Sequence, residues 1–301
     1  MGRDLRKKFG DTEDTLVVSH PLLVGIFRDR SNLIYQHGEL VAPRESIVLG
    51  ASVIIVPTEE VAQTFCSAGY NKDQVFVSGL CIEPELVAQS RDVFEARLAR
   101  VAGLGPLMGL FFSSGAEPKE HVRIIISSIA SSILADGRAM ILARKGGKLE
   151  KAVLSDLPQM GINVTTRRST NISTDAQSRC VLRTFESHKE ESVLTAGWFS
   201  QIDFLVAPSH ERTNWSSGLG LPMFVLTPVI GPYAPLNLGL MQKTGCAVAI
   251  KSDSDARGLG ATVADLRKTG RLAAMARNGW GKHNISGFAR IAEFLSVRSG
   301  Q

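Results

Sequence analysis

The chain has 301 residues, of which 44% are hydrophobic and 21% charged, a composition typical of a globular protein with one large or two medium-sized domains. Its net charge of +5 is concentrated in residues 251–301, which carry nine basic and four acidic side chains. This local excess argues against a nucleic-acid-binding protein, in which a basic face extends across a domain. A solvated surface is the favoured interpretation of the basic segment, and a weak association with an anionic membrane is the alternative.

No apolar run of about 18 residues is present, so the sequence predicts no membrane-spanning helix. The apolar residues 16–27 follow acidic side chains and are interrupted by His20 and Pro21, so we interpret them as a strand and a turn rather than a signal peptide. The cysteines form no C-x-x-C pair and lie mostly in apolar runs, which predicts reduced thiols in a cytoplasmic protein. They are Cys66, Cys81, Cys180 and Cys246.

In chain order, the first part contains short β-branched runs that are almost wholly apolar, as parallel strands covered on both faces are. The predicted strands are residues 16–19, 33–36, 53–57 and 75–78. A helix is predicted over residues 59–68, because Thr58 can cap its first turn and Gly69 can end it. Residues 91–102 are interpreted as a polar connector that can form a helix and leads to the Gly-Leu-Gly-Pro sequence at residues 103–106.

The second part is a longer alternation of strands and helices. The predicted strands are residues 107–113, 139–143, 163–165, 180–185, 204–208, 223–226 and 246–250. The predicted helices are residues 118–134, 149–157, 190–200, 235–244, 255–268 and 285–296. Repeated β-α alternation indicates a doubly wound parallel sheet, in which ligands bind at the carboxyl ends of the strands.

The predicted fold is therefore α/β, with two Rossmann-like, doubly wound parallel sheets that face each other across a cleft. The predicted domains are residues 1–102 and residues 103–301, with the last helix packing back on the first domain. The first sheet is incomplete in this prediction, because its four strands have few predicted helices to cover them. Either another subunit of a homo-oligomer covers it, or the chain lacks an N-terminal portion that its relatives carry.

A series of segments carries a family resemblance. They are residues 34–38 (IYQHG), 51–59 (ASVIIVPTE), 75–84 (VFVSGLCIEP) and 216–226 (SSGLGLPMFVL), followed by Gly231, Asn237, Gly245 and Cys246. In order and spacing they resemble the end of the acceptor domain and the donor segment of GT-B glycosyltransferases. The families that they resemble most are the monogalactosyldiacylglycerol synthases and the N-acetylglucosaminyltransferase that forms lipid II.

The resemblance implies a metal-independent hexosyltransferase that needs no cofactor. In such an enzyme the second domain holds a UDP-sugar, and the first brings in a hydroxyl acceptor, which can be lipid-linked. A carboxylate or histidine deprotonates the acceptor, and backbone dipoles with an arginine stabilise the departing diphosphate. The chain departs from the family in two respects: the glycine-rich acceptor loop is missing, and the glutamate that grips the ribose falls on Trp215.

Three segments after predicted strands carry the candidate donor-binding residues. Residues 113–117 offer backbone N–H groups ahead of a helix, which suits a diphosphate, although any β-α turn favours Gly and Ser. Residues 209–218 combine charged, hydroxyl and amide groups, and residues 229–237 form a loop that can flank a sugar. A capped helix start and a buried connecting loop are the alternative interpretations. The candidates are Ser114, Gly115, Ser209, Glu211, Arg212, Asn214, Ser216, Ser217, Gly218, Tyr233 and Asn237.

The candidate catalytic residues are His20, His37 and Glu39. Both histidines end predicted strands, where an imidazole can take a proton from a hydroxyl, although a lone histidine at a strand end is more often structural. The histidines lack metal-ligand spacing, so we expect no metal site. Two other function classes stay open: a non-catalytic nucleotide-sugar-binding or scaffold protein, and a sugar-nucleotide epimerase.

Overall fold

The computed structural model describes residues 2–10, 12–166 and 178–299. These residues form two compact units. The first contains the chain up to Pro84 together with the segment from His283 onward, and the second runs from Glu85 to Lys282.

The first unit is built on a four-stranded parallel sheet with the strand order β1-β2-β3-β4. Its strands are β1 (Leu16–Val18), β2 (Leu33–Gln36), β3 (Val53–Val56) and β4 (Val75–Val77). The first helices of the chain are α1 (Gly2–Phe9), α2 (Pro21–Phe27) and α3 (Glu59–Ser67). All four strands and α3 confirm the sequence-based elements.

The second unit contains a seven-stranded parallel sheet with the order β11-β10-β9-β5-β6-β8-β7. Its strands are β5 (Met108–Phe112), β6 (Arg138–Arg144), β7 (Thr165–Thr166), β8 (Cys180–Phe185), β9 (Phe204–Ala207), β10 (Met223–Leu226) and β11 (Ala247–Ile250). From β5 the chain first builds the sheet toward β6 and later adds β9 on the other side. The strand order therefore reverses between β5 and β9, which is where doubly wound sheets bind ligands.

Ten helices are described between Pro84 and Gly279. They are α4 (Pro84–Ala88), α5 (Ser90–Ala102), α6 (Lys119–Leu134), α7 (Lys148–Gln159), α8 (His188–Trp198), α9 (Thr213–Leu219), α10 (Tyr233–Lys243), α11 (Asp253–Arg257), α12 (Leu259–Lys268) and α13 (Arg271–Gly279). The core of this unit packs β-strand residues such as Phe111, Ile141 and Val206 against α6, α7 and α12. The described ranges contain no helix that is long and apolar enough to cross a membrane.

The last helix, α14 (Gly287–Ser299), returns to the first unit and completes its packing. Side chains of a strand alternate between the two faces of a sheet. One face of the first sheet packs in a cluster with residues of α2 and α3, while Ile34, Val53 and Ile55 pack with Ile291 of α14 on the other. The chain itself thus covers the face for which the sequence suggested a second subunit or an absent N-terminal portion.

Two sequence-based elements need correction, and a third is more regular than expected. Residues 21–27 form α2 rather than a turn, because the Nδ1 atom of His20 accepts a hydrogen bond from the N–H of Leu22 at 3.1 Å and Pro21 starts the helix. The predicted helix 255–268 is divided into α11 and α12, which meet at Gly258. The connector 91–102 lies within the regular helix α5.

Helix α5 packs within the second unit through a fully buried arginine. The Arg97 side chain donates from Nε to the carbonyl oxygen of Ile202 at 2.9 Å and from Nη1 to that of Leu219 at 2.8 Å. These contacts hold α5 to the entry of β9 and to the end of α9. The structure therefore divides the chain after Pro84, ahead of the boundary at residue 102 predicted from the sequence.

Candidate functional site

A cavity of about 270 Å³ lies where the strand order reverses in the second sheet. Residues from the carboxyl ends of four strands and from the segments that follow them line it. They belong to residues 112–117 at β5, Leu142 and Arg144 at the end of β6, residues 185–191 at β8, and residues 207–208 and 210–212 at β9. The fold therefore places the cavity at the position where ligands bind in this class of sheet.

The turn after β5 contributes polar groups and the start of α6. Ser114 and Gly115, two candidate donor-binding residues, line the cavity. Pro118, which precedes α6, supplies no side-chain cap to the first N–H groups of that helix. The hydroxyl oxygen of Ser113, which also belongs to the lining, is buried and has no hydrogen-bond partner within the described ranges. Both features favour a bound anion, because free helix N–H groups and a free hydroxyl donate hydrogen bonds.

His121 adds a second buried polar atom to the first turn of α6. Its side chain is 1% exposed, and its Nε2 atom lies 2.8 Å from the carbonyl oxygen of Pro228. Because a carbonyl oxygen only accepts, Nε2 carries a proton and donates to Pro228. Nδ1 is buried and has no partner among the residues that the structure describes. His121 is not among the residues that line the cavity, so this atom lies behind the cavity wall.

Glu117 ties the turn after β5 to helix α7. Its carboxylate, on a residue that is 7% exposed, accepts hydrogen bonds from the backbone N–H groups of Lys148 and, at 3.3 Å, Leu149. A carboxylate at a helix N-terminus is favourable because the first N–H groups have no partner within the helix. Glu117 thus occupies the anion position of α7, which leaves that of α6 for a ligand.

Arg212, which was predicted to bind the sugar donor, lies in the cavity wall and already has an anionic partner. Its guanidinium pairs with the carboxylate of Glu191 from α8, and both side chains are 13% exposed. The guanidinium also lies over the rings of Phe112 and Trp215, at 5.1 and 4.5 Å from their centroids. Its charge is therefore largely compensated by Glu191, a residue far away in sequence that no local pattern indicated.

His210 and Glu211 are neighbouring side chains of the cavity wall. Burial lowers the pKa of His210 below its ordinary value; the charge of Glu211 opposes this shift, and nearby His121 adds to it. A neutral imidazole beside a carboxylate can transfer protons. His210 was absent from the predicted site residues, although its place directly after β9 was the available signal.

Six residues that were predicted to bind the sugar donor are buried in the protein and do not line the cavity. They are Ser209, Asn214, Ser216, Ser217, Gly218 and Asn237. Asn237 donates from Nδ2 to the carbonyl oxygen of Ser209 at 3.0 Å, and the Ser209 hydroxyl donates to that of Ala234 at 2.9 Å. These bonds fix α10 to the end of β9, so both side chains have a positioning role here.

Helix α9 is buried along its whole length, which explains why its hydroxyls point into the protein. The Ser216 hydroxyl donates to the carbonyl oxygen of Cys246 at 3.4 Å, and the Ser217 hydroxyl to the sulfur of Met241 at 3.2 Å. Tyr233 starts α10 and lies outside the set of residues that line the cavity.

The three catalytic candidates belong to the first unit. The ring of His37 is 3% exposed, with Nε2 at 2.9 Å from the carbonyl oxygen of Val41 and Nδ1 at 3.3 Å from the Tyr35 hydroxyl. Burial lowers the pKa of His37 to about 4. This environment is typical of a structural histidine, and His20 caps α2; Glu39 is partly buried in the loop after β2. In the described part of the chain, no group of three or more His, Cys, Asp or Glu side chains could hold a metal ion.

No protein-family model and no curated protein matches this chain. Solved structures do match its fold. UDP-GlcNAc 2-epimerase from Neisseria meningitidis, bound to UDP-GlcNAc, is 12% identical and has a TM-score of 0.63, with 99% of this chain and 80% of that chain covered. MnaA from S. aureus in complex with UDP is 12% identical, with a TM-score of 0.62 and coverage of 99% and 78%.

A putative UDP-N-acetylglucosamine 2-epimerase from Listeria monocytogenes is 11% identical, with a TM-score of 0.58 and coverage of 99% and 78%. At these identities the similarity is one of fold. The chain therefore has a GT-B-like α/β fold with two Rossmann-like parallel sheets, as the sequence predicted.

Proposed function

We propose that the second unit binds a nucleotide-sugar of the UDP type and that the chain uses it as a co-substrate. The observation that carries this proposal is the cavity at the reversal of strand order, in whose lining the Ser113 hydroxyl is buried without a partner among the described residues, ahead of the uncapped start of α6. The names of proteins with a similar fold support it, because they refer to UDP or UDP-GlcNAc.

The turn after β5 suits the diphosphate of such a ligand. The Ser113 hydroxyl and the first N–H groups of α6 can donate hydrogen bonds to phosphate oxygens. Exposed Arg144, which lines the cavity from the last position of β6, adds a cation that is compatible with a diphosphate.

The first candidate activity is metal-independent glycosyl transfer to a hydroxyl acceptor, as the resemblance to GT-B transferases suggests. In this proposal the acceptor is lipid-linked, and His20, His37 or Glu39 removes its proton. The likeness to the two transferase families named above also belongs to this proposal.

The second candidate is epimerisation of the sugar nucleotide itself. The cavity favours it in one respect: carboxylates and histidines that are scattered in the sequence line it together. They are Glu117, His188, Glu191, His210 and Glu211. His210 and Glu211 would serve as the acid and base of a proton transfer. A non-catalytic nucleotide-sugar-binding protein is the third candidate.

Calorimetric and thermal-shift titrations with UDP, UDP-glucose, UDP-galactose and UDP-N-acetylglucosamine test the proposal. A ligand that binds only the folded state raises stability by about 2.7 kcal/mol at 100 times its Kd. Ser113→Ala should weaken binding roughly fivefold to tenfold, the equivalent of ~1–1.4 kcal/mol for one hydrogen bond.

The matched control is Ser155→Ala, which removes an exposed hydroxyl from α7. Equal nucleotide affinities of the Ser113→Ala variant and the parent would place the ligand elsewhere. Interconversion of a labelled UDP-sugar without acceptor identifies an epimerase, and transfer to a hydroxyl compound identifies a transferase. Binding with neither reaction identifies a non-catalytic protein.

A further inference from the structure

The opposite edge of the second sheet, at the amino ends of its strands, presents two leucines to solvent. Leu104 is 101% exposed and Leu134 is 81% exposed, the largest values among the large hydrophobic side chains of the described ranges. Leu104 lies four residues before Met108 of β5, and Leu134 lies four residues before Arg138 of β6. Met108 and Arg138 lie opposite each other on these adjacent parallel strands. Both leucines therefore lie at the same edge of the sheet.

The backbone around Leu104 is fixed, so the exposure of this side chain is built into the fold. The N–H of Gly103 donates to the carbonyl oxygen of Ala99 at 3.0 Å. From α12, Arg267 donates to the carbonyl oxygens of Gly105 at 2.7 Å and Arg100 at 2.8 Å. The loop is thus bonded on both sides of the leucine.

The end of α6 holds Leu134 in a similar way. The N–H of Gly137 donates to the carbonyl oxygen of Ser132 at 2.8 Å, and Asp136 has a left-handed backbone with φ of 62°. This turn reverses the chain into β6 directly after the leucine. The apolar side chain therefore stays in water although its neighbour Ile133 is buried.

A cavity of about 410 Å³ with a mixed polar and apolar lining lies beside these two residues. Its lining joins the loop of Leu104, the end of α6 and one side of α12. The apolar part of the lining includes Leu104, Leu107, Phe204 and Val263. The edge therefore has apolar depth as well as two projecting leucines.

Cations surround the same edge. Arg138 is the first residue of β6. Arg179 lies beside it, because the residues that follow the two arginines, Ala139 and Cys180, are paired on adjacent strands. Arg267 and Lys268 line the cavity. The exposed acid Asp136 is engaged by Arg179 at 3.2 Å. Apolar tips ringed by basic side chains are complementary to an anionic surface with an apolar interior.

We propose that this region, which we call the leucine edge (Leu104, Leu134, Arg138, Arg179 and Lys268), docks on an anionic lipid bilayer. A bilayer fits better than a protein partner, because the two leucines are separate projections that can each enter the acyl region while the cations meet phosphate headgroups. The nucleotide cavity lies at the carboxyl ends of the strands, so docking leaves it open to solution. This inference does not depend on the proposed function.

Flotation of the full chain with vesicles tests the proposal. Vesicles of phosphatidylglycerol and phosphatidylcholine should bind the parent at low salt, and pure phosphatidylcholine vesicles should bind it at least about tenfold less. The double variant Leu104→Ser/Leu134→Ser should lose about tenfold or more of the binding to anionic vesicles. Its thermal midpoint and UDP affinity should match those of the parent, because both leucines are exposed and remote from the nucleotide cavity.

The matched control is Leu22→Ser, which removes a leucine that is 63% exposed on the first unit and should bind vesicles like the parent. The proposal is overturned if the parent ignores anionic vesicles, or if the double variant binds them as well as the parent does. Sedimentation that shows a parent dimer dissociated by the double variant would assign the edge to self-association and would equally overturn it.

Discussion

Replacing Glu191 by Gln should destabilise the second unit and at the same time tighten its binding of an anion. Glu191 and Arg212 are each 13% exposed, so their ion pair is largely removed from water. In the variant, Arg212 loses its carboxylate partner but keeps a neutral amide oxygen as an acceptor. We expect a loss of about 2 kcal/mol in the free energy of unfolding.

The size of the gain in affinity follows from the dimensions of the cavity. Treated as a sphere, the 270 Å³ cavity is about 8 Å across, and Coulomb's law with an effective dielectric constant of ~20 gives about 2 kcal/mol for two unit charges at this separation. At ~0.15 M salt the Debye length is about 8 Å, which reduces the interaction to roughly 0.8 kcal/mol. The expected gain is therefore about fourfold at this salt and up to about thirtyfold at low salt.

Calorimetric titration with UDP and with pyrophosphate, at two salt concentrations, measures this gain. The control is Glu95→Gln, which removes the same charge from an exposed ion pair with Arg91 on α5, outside the cavity. Stability that falls while anion affinity rises is the expected result, since a purely structural role for Glu191 predicts that both decrease. Unchanged or weaker binding of pyrophosphate at low salt would show that the diphosphate does not occupy this cavity.

Two further predictions concern stability. Gly279→Ala should cost about 3 kcal/mol in chemical denaturation, because its Cβ would lie 1.8 Å from the carbonyl oxygen of Ser216 in the packed α9; Gly239→Ala on α10, with no atom within 4 Å, should instead stabilise by roughly 0.5–1 kcal/mol. For His37, whose pKa falls from 6.5 to about 4 on folding, the unfolded chain takes up the proton first as the pH is lowered. Its stabilisation is complete above pH ~6.5 and decreases toward pH ~4 by about 3 kcal/mol. Thermal midpoints across this range should show a weaker pH dependence for His37→Gln, whereas His188→Gln, at an exposed position, should behave like the parent; parallel curves for both variants would contradict the assignment.

The parallel strands could be predicted from the sequence because each is a short apolar run between turn residues. Helix α2 could not, since its sequence PLLVGIF is apolar throughout and shows no helical period. The second unit begins earlier than predicted because of Arg97. An arginine in a polar stretch indicates an exposed segment, yet here its N–H groups donate hydrogen bonds to backbone carbonyl groups in the interior. The periodicity of apolar and polar residues distinguishes the buried face of a helix from its exposed face, and it cannot identify an arginine on the buried face.

The candidate site was predictable only where its residues directly follow strands. Ser114, Gly115, Glu211 and Arg212 were proposed as donor-binding residues for that reason, and the structure brings them to one cavity; their role in binding a donor stays a prediction. Glu191 comes from the first half of α8, which follows β8. Strands β8 and β9 are separated in the sheet by β5 and β6, and only the elements that follow their carboxyl ends bring Glu191 to Arg212. Sequence separation of this kind carries no local signal, because the contact depends on the order of strands in the sheet.

The return of α14 to the first unit makes the folding of the chain's two ends interdependent. The second unit is continuous from Glu85 to Lys282, so a ribosome delivers all of it while Ile34, Val53 and Ile55 of the first sheet still lack Ile291. The earlier-made strands must therefore wait, with one apolar face uncovered, for the later-made helix. We expect chaperone dependence and aggregation in this protein to originate in the first unit. We also expect a cleavage or fusion near Gly287 to destabilise strands that lie more than two hundred residues earlier in the chain.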